Sequence, residues 1–232
     1  LNTHKVMNRG CDAGDIDLKR CFWGDANSST SIYLVGDSMA WAIADSAIEV
    51  SSKEGFGIQT LVRNGCSITK LTNYANDPCS AWRKRVNAIM SDRNPDLVII
   101  ANASGYPEQD LLGMGDLIVN LNREGTKVLF ILPPPGGDEF SGRRALAFSP
   151  GNTNRSKERP ESISLAKFGL ENYRNPKLFQ VYDPANNLCS KDSCIIAKNG
   201  KDYYTYGAHL SVFANRVLEP AFKTRISELL NN

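Results

Sequence analysis

Five short apolar runs alternate along the chain with stretches whose apolar residues recur at helical spacing. The runs are "SIYLVG" (31–36), "GIQTLVR" (57–63), "DLVIIAN" (96–102), "KVLFILP" (127–133) and "KLFQVYD" (177–183). Each is rich in β-branched or aromatic residues and bounded by Gly, Pro, Asn or Asp, which predicts strands. Their apolar character is continuous rather than alternating, as in strands covered on both faces of a parallel sheet. Between them, residues 39–52 place Ala40, Ile43, Ala44, Ala47 and Ile48 on one helical face. Residues 80–91 do the same with Trp82, Val86, Ile89 and Met90, and residues 110–123 with Leu111, Leu112, Leu117, Ile118 and Leu121. A last helical pattern spans 211–230, where Pro220 is expected to kink or break the helix. The order predicts an α/β protein: a three-layer α/β/α sandwich around a five-stranded, mainly parallel sheet with right-handed crossovers.

Two stretches fall outside this alternation. Residues 1–30 read as a disulfide-tied N-terminal extension rather than a sheet strand, ahead of the main domain at 31–232. Residues 133–160, rich in Pro, Gly, Ser and Arg, read as a long loop insertion, either functional or simply solvated. Its Arg143, Arg144, Arg155, Lys157 and Arg159 could meet an anionic substrate, although such a charge run is usually wet surface.

Composition narrows the function classes. With 232 residues the chain can bury a substantial core. A hydrophobic share of 41% and a charged share of 22% are those of an ordinary soluble globular protein. A net charge of +2 argues for neither a nucleic-acid partner nor a membrane surface. No apolar run approaches the roughly 20 residues that span a bilayer. The opening "LNTHKVMNRG" has neither an initiator methionine nor a signal-peptide core, so it reads as a mature or excised piece of something longer.

Six cysteines fall in close couples, Cys11 with Cys21, Cys66 with Cys79, and Cys189 with Cys194. Six thiols allow about 15 pairings, of which neighbour pairing is the economical one. Zinc is the rival reading, but there is no Cys-x-x-Cys knuckle and histidine is nearly absent. Disulfides are therefore expected, together with an oxidising periplasmic or extracellular compartment.

The chemistry centres on "LVGDSMAW". Ser38 follows the first strand at its carboxyl end, where open parallel sheets bind ligands. It also opens a helix, whose N-terminal dipole and free N–H groups favour a developing oxyanion. A serine there also caps helices well, and it becomes a nucleophile only if a base takes its proton. There are two histidines. His4, ahead of the first cysteine, is expected to be solvent-exposed. His209, in "YYTYGAHLSVFANRVL", follows the last strand and precedes the closing helix, so it can meet Ser38 across the crevice.

These residues resemble a known family. "VGDSMAWAI" is similar to the nucleophile block of SGNH (GDSL-like) hydrolases, and "AHLSVFANRVL" to their last block. "RNGCSI" places Gly65 at the glycine block, and "IIANASGY" places Asn102 at the asparagine block. The resemblance implies a flavodoxin-like SGNH hydrolase fold with Ser38 as nucleophile and His209 as base. It also implies an oxyanion hole made of the Ser38 and Gly65 N–H groups and the Asn102 side chain.

"NGC" followed by "CSAWRKRV", "NPDLVIIAN" and "LCSKDSC" look more specifically like the SGNH domain fused to bacterial membrane acyltransferases of the acyltransferase-three family. That likeness implies an extracytoplasmic serine O-acyltransferase domain. It would receive an acyl group, usually acetyl, from the membrane domain and pass it to a cell-envelope glycan. The domain would then lie on the periplasmic or extracellular face of a bacterial inner membrane and touch the membrane only through the fused domain. A secreted carbohydrate O-acetylesterase and a catalytically weak glycan-binding module are the alternatives.

One position departs from the pattern. The family usually carries an Asp three residues before the His, and here that residue is Tyr206. A Ser–His dyad oriented by a backbone carbonyl or by Tyr206, a triad rewired through Asp202, and a weakened enzyme all remain open, with Asp183 a more remote acid. Loss of an orienting Asp can cost on the order of 10⁴ in turnover. Asp37 is expected to bond its own backbone, and Trp82 to pack in the core. Met39, which stands where the fused family often has a histidine, and Trp41 could line an acyl pocket. Tyr106, Tyr203 and Tyr204 could stack on sugar rings. The sequence contains no phosphate-cradling glycine loop, metal-ligand cluster or paired-carboxylate site, and no cofactor or metal is expected.

Overall fold

The structure is a computed structural model describing residues 3–14, 16–69, 77–106, 108–136, 140, 155–161, 163–171, 173 and 175–232. Its main sheet has six strands. β1 (Phe22–Gly24) lies at one edge, antiparallel to β3 (Gly57–Val62). β2 (Ser31–Gly36), β4 (Leu97–Ala101), β5 (Lys127–Ile131) and β7 (Phe179–Tyr182) continue it in parallel, in the order β1-β3-β2-β4-β5-β7. The five expected parallel strands are all present. β1 corrects the expectation that residues 1–30 hold no sheet strand: "FWG" is too short to show a period, and its pairing depends on Gln59 and Ile58 far along the chain.

Alternate residues of each strand feed opposite faces of the sheet. On one face Ile32, Leu34, Leu97 and Ile99 pack against α2 (Ser38–Glu54) and the closing helix. On the other, Tyr33, Val35, Val98 and Ile100 pack against α3 (Ser80–Arg93) and α4 (Glu108–Arg123). These two cores on either side of one sheet make the three-layer sandwich. Each fully buried aliphatic side chain in them contributes about 1.5–3 kcal/mol by leaving water.

The shorter elements lie around this frame. α1 (Lys5–Asn8) packs on α2 from the N-terminal segment. Within the stretch read as a long loop, β6 (Arg155–Glu158) pairs antiparallel with β8 (Ser193–Lys198), which also pairs with β9 (Lys201–Asp202). That part of the insertion is therefore ordered strand, while Arg143 and Arg144 and the side chain of Arg155 lie outside the described residues. α5 (Ala185–Leu188) follows β7, and β10 (Tyr204–Tyr206) pairs with β11 (His209–Leu210). α6 (Val212–Leu230) closes the chain. It runs through Pro220 without the expected break. Pro220 and Arg216, whose carbonyl loses its intrahelical partner, both face solvent, where water can take over that bond. No helix among the described residues is long and apolar enough to cross a membrane.

The three disulfides join Cys11–Cys21, Cys66–Cys79 and Cys189–Cys194, neighbour to neighbour. A buried polar pin sets α6 against α2. The Asn215 Oδ1 accepts from the Ser46 N–H (3.1 Å) and hydroxyl (2.8 Å), and its Nδ2 donates to the Ala42 carbonyl (2.7 Å). Since α2 starts at Ser38 and α6 follows His209, this pin also fixes how the two ends of the chain meet. Asn215→Ala would strip buried donors and acceptors of their partners. It should lower stability by about 2–3 kcal/mol in urea unfolding followed by circular dichroism.

Candidate active site

The site begins where β2 ends. Gly36 is level with Val62 of β3 and Ala101 of β4, so three adjacent strands stop in register. β2 has β3 on one side and β4 on the other, the arrangement that opens a crevice at the carboxyl ends. Gly36 has φ +146°, and a Cβ there would sit 1.9 Å from the Ala101 carbonyl oxygen and 3.1 Å from the Asn102 Oδ1. Only glycine lets the chain pass so close to the end of β4.

Asp37 caps α2 and is fully buried. Its carboxylate accepts from the Met39 N–H (2.8 Å), the Ala103 N–H (2.8 Å) and the Tyr106 hydroxyl. Burial pushes its pKa above the ordinary carboxylate range, while these donors and the nearby His209 imidazole pull it back. Asp37 therefore does bond its own turn, and it also clips that turn to the loop after β4. Tyr106 is the other half of this clip: burial raises its pKa and keeps it neutral, and its hydroxyl serves Asp37.

Ser38 is the first residue of α2 and is half-buried. Its N–H is one of the leading helix donors that no intrahelical carbonyl can meet, and it lies at the positive end of the helix dipole. Gly65 follows β3 in the left-handed region (φ +69°), and a Cβ there would touch nothing within 4 Å. Glycine is needed here for backbone conformation rather than for space. The loop is held by the Cys66–Cys79 disulfide and by the Asn64 N–H, which donates to the Asp12 carbonyl (3.0 Å).

Asn102 follows β4 directly and is fully buried. Its Nδ2 donates to the Ser67 Oγ (2.8 Å). The Thr69 hydroxyl donates to the Asp110 carbonyl (2.6 Å), so in the Ser67–Thr69 contact (3.1 Å) Ser67 is the donor. This directed chain fixes the face of the Asn102 amide. Sequence reasoning missed Ser67 and Thr69, because small hydroxyl residues in a loop carry no signal of their own.

His209 reaches the same place from the other end of the chain. Its ring stacks on Trp41, with centroids 5.0 Å apart and planes 15° apart, and Trp41 lies one helical turn beyond Ser38. The Thr205 hydroxyl donates to the His209 carbonyl (3.2 Å), holding the β10–β11 turn. The side chain of Tyr206 lies outside the described ones. Asp202 lines a separate shallow cleft with Lys201, Phe213 and Arg216. The Asp183 Oδ1 accepts from the Ala185 N–H (2.9 Å), capping α5.

Several expectations are corrected here. His4 is buried, its Nδ1 2.5 Å from the Asp45 Oδ2 and its ring edge-on to Trp41 (4.9 Å, 64°). Its partners lie 37 and 41 positions away, which is why it read as a tail residue. Trp41 contacts both histidine rings and is not among the residues lining the cleft beside the site. Tyr203 and Tyr204 are buried against Phe213 and Phe140 rather than offered to sugars. Trp82 is core, as expected.

A cleft of about 270 Å³ opens beside these residues. Met39, Ala103 and Ala208 line it, and they are the chain neighbours of Ser38, Asn102 and His209. Leu132 and three consecutive prolines after β5 make it largely apolar, with Arg159 and Asp183 as polar contacts. Among the described residues, no group of three or more His, Cys, Asp or Glu could hold a metal ion.

A family model described as "SGNH domain (fused to AT3 domains)" matches residues 8–224, nearly the whole chain. The chain belongs to this family. Among solved structures, the SGNH domain is similar to the periplasmic domain of a lipopolysaccharide acetyltransferase from Salmonella ser. Paratyphi A. The TM-score is 0.65 at 14% identity, over 94% of this chain and 91% of that one. It also resembles a carbohydrate acetylesterase family member from Sinorhizobium meliloti, with a TM-score of 0.53 at 16% identity, over 88% of this chain and all of that one. At these identities the likeness is one of fold. No curated protein matches the sequence.

The Asp37 clip makes a testable statement about this SGNH domain. Tyr106→Phe removes a donor that favours the ionised carboxylate, so it should destabilise the fold by about 1–2 kcal/mol at pH 7. The difference belongs to the charged form. It should be full above the raised pKa of Asp37 and shrink as pH falls through it, which begins above the ordinary value of 3.8. Urea unfolding of both proteins across pH 4–7 measures it.

Proposed function

We propose that the domain transfers an acyl group, acetyl by its family resemblance, to an extracytoplasmic glycan through an acyl-enzyme on Ser38. The observation that carries this reading is the His209 ring stacked on Trp41, one turn along the helix that Ser38 opens. In a domain of the AT3-fused family, this contact brings a ring from near the end of the chain alongside the helix that starts at Ser38. The Ser38 Oγ attacks the carbonyl carbon of the acyl donor while His209 takes its proton. The oxyanion rests on the Ser38 and Gly65 N–H groups and the second N–H of Asn102. Collapse expels the donor's leaving group, which takes the proton back from His209. A sugar hydroxyl then gives its proton to His209 and attacks the acyl carbonyl; collapse breaks the Ser38 Oγ–acyl bond, His209 returns the proton to Oγ, and the sugar leaves as the ester.

The acyl donor would come from the fused membrane acyltransferase domain, and the acceptor would be a cell-envelope glycan. Three disulfides fit an oxidising space outside the cytoplasm. The lipopolysaccharide acetyltransferase of like fold supports transfer, and the small, largely apolar cleft suits a short acyl chain lying against a sugar face. The second reading is hydrolysis, with water in place of the sugar. The acetylesterase of like fold favours it.

Ser38→Ala and His209→Ala should each lower turnover of p-nitrophenyl acetate by about 10³-fold or more. Ser38→Ala should also abolish labelling by a fluorophosphonate, and circular dichroism should show both variants folded. A wild-type rate in Ser38→Ala would overturn the acyl-enzyme. Mass spectrometry of glycans from cells making the full-length protein separates the two readings, because only transfer adds acyl groups that Ser38→Ala removes.

A further inference from the structure

A base that works by taking a proton needs its charged form stabilised, and Trp41 is placed to do this for His209. The two rings lie nearly parallel, 15° apart, with centroids separated by 5.0 Å. That separation is within the roughly 6 Å over which an indole face attracts a cation. The indole is itself fixed in place. It projects from the first turns of α2, and the His4 ring also meets it edge-on at 4.9 Å. His4 is buried and held by Asp45, and Lys5 beside it donates to Glu49 of the same helix. The Trp41 Nε1–H is buried with no acceptor among the described residues, so ring contacts rather than a hydrogen bond set the plane of the indole.

We propose that Trp41, braced by the His4–Asp45 pair, is a positioning residue that aligns the His209 imidazole and stabilises its protonated form from the ring face. The proposal rests on the reading of His209 as the base. It holds whatever the ring nitrogens of His209 bond to, because it acts through the face. Several titratable groups lie around that ring. From α2, Asp37 faces it electrostatically. Behind Trp41, His4 and Asp45 form their own pair. From β10, Tyr204 is buried and kept neutral by a raised pKa, and Tyr206 pairs with His209 along the backbone. None of these groups changes when Trp41 is replaced by another apolar residue.

The 232-residue chain has two histidines, so their imidazole signals can be assigned in ¹⁵N-histidine spectra with a single His4→Gln variant. The indole raises the His209 pKa by favouring the imidazolium. Trp41→Leu should therefore lower it by about half to one unit, and Trp41→Phe, which keeps a weaker face, by less. Turnover of p-nitrophenyl acetate should fall about tenfold in Trp41→Leu with KM within about twofold, and the acid limb of kcat should move to lower pH by the same interval. Trp41→Phe should recover most of the rate, and it keeps the test available if Trp41→Leu does not fold. An imidazole titration in both variants equal to that of the wild type would overturn the proposal, because a purely structural role would leave it unmoved. Wild-type turnover in His209→Ala would instead overturn the reading of His209 as the base, an outcome that the titration does not depend on.

Discussion

The site depends on one buried carboxylate. Asp37 sits at the point where β2 turns into α2, and its two oxygens collect donors from both sides of the crevice. Met39 belongs to the nucleophile turn, while Ala103 and Tyr106 belong to the loop after β4. Burying such a group without partners would be costly enough to disfavour the fold, and three converging donors offset that cost and favour ionisation. The result is mechanical as well as electrostatic. Ser38 cannot move relative to Asn102 without breaking bonds to a group that has no water to replace them. The cleft inherits the same rigidity, since Met39 and Ala103, the residues that donate to Asp37, also line it.

Around this clip the other donors are fixed by equally local means. Gly65 is held by a backbone conformation, by a disulfide one residue away and by the Asp12 contact. Asn102 is held by the one-way chain through Ser67 and Thr69 to Asp110. Hydrogen bonds pointing the same way polarise one another, so such a chain sharpens the donor at its start. An oxyanion site accelerates a reaction because its dipoles need not reorganise when charge appears, and in the proposed site each of these devices would remove a degree of freedom beforehand.

How far the sequence could be read follows from the same geometry. In a parallel sheet, the end of each strand is visible as the end of an apolar run, and the switch point places β3 and β4 on either side of β2. Ser38, Gly65 and Asn102 could therefore be located together from chain order and the family's blocks. His209 could be placed at the same edge because it precedes the last helix. What could not be read were contacts whose two halves lie far apart with no pattern to announce them. The burial of His4 depends on Asp45 and Trp41, both on a helix whose amphipathic face had already been assigned to the core. β1 is three residues long and acquires its register from β3. Tyr203 and Tyr204 look like rim residues until Phe213 and Phe140 fold over them.

These contacts also change how the N-terminal segment is understood. Far from being a tether ahead of the domain, it is bonded into α2 through Asp45 and Glu49 and reaches the far face of Trp41. Ring contacts run from His4, edge-on to Trp41, to His209, stacked on it, so a segment that precedes the first strand is joined to a ring near the start of α2. With Tyr206 standing where the family usually has an acid, the proposed stabilisation of an imidazolium at His209 rests on two neighbours. Asp37 acts through space from beneath, and the indole acts through its face. An acid at position 206 would add a hydrogen bond to these, whereas in the proposed site the preference for a protonated ring comes from the first turns of α2. On that reading the helix that presents Ser38 also conditions the group that would deprotonate it.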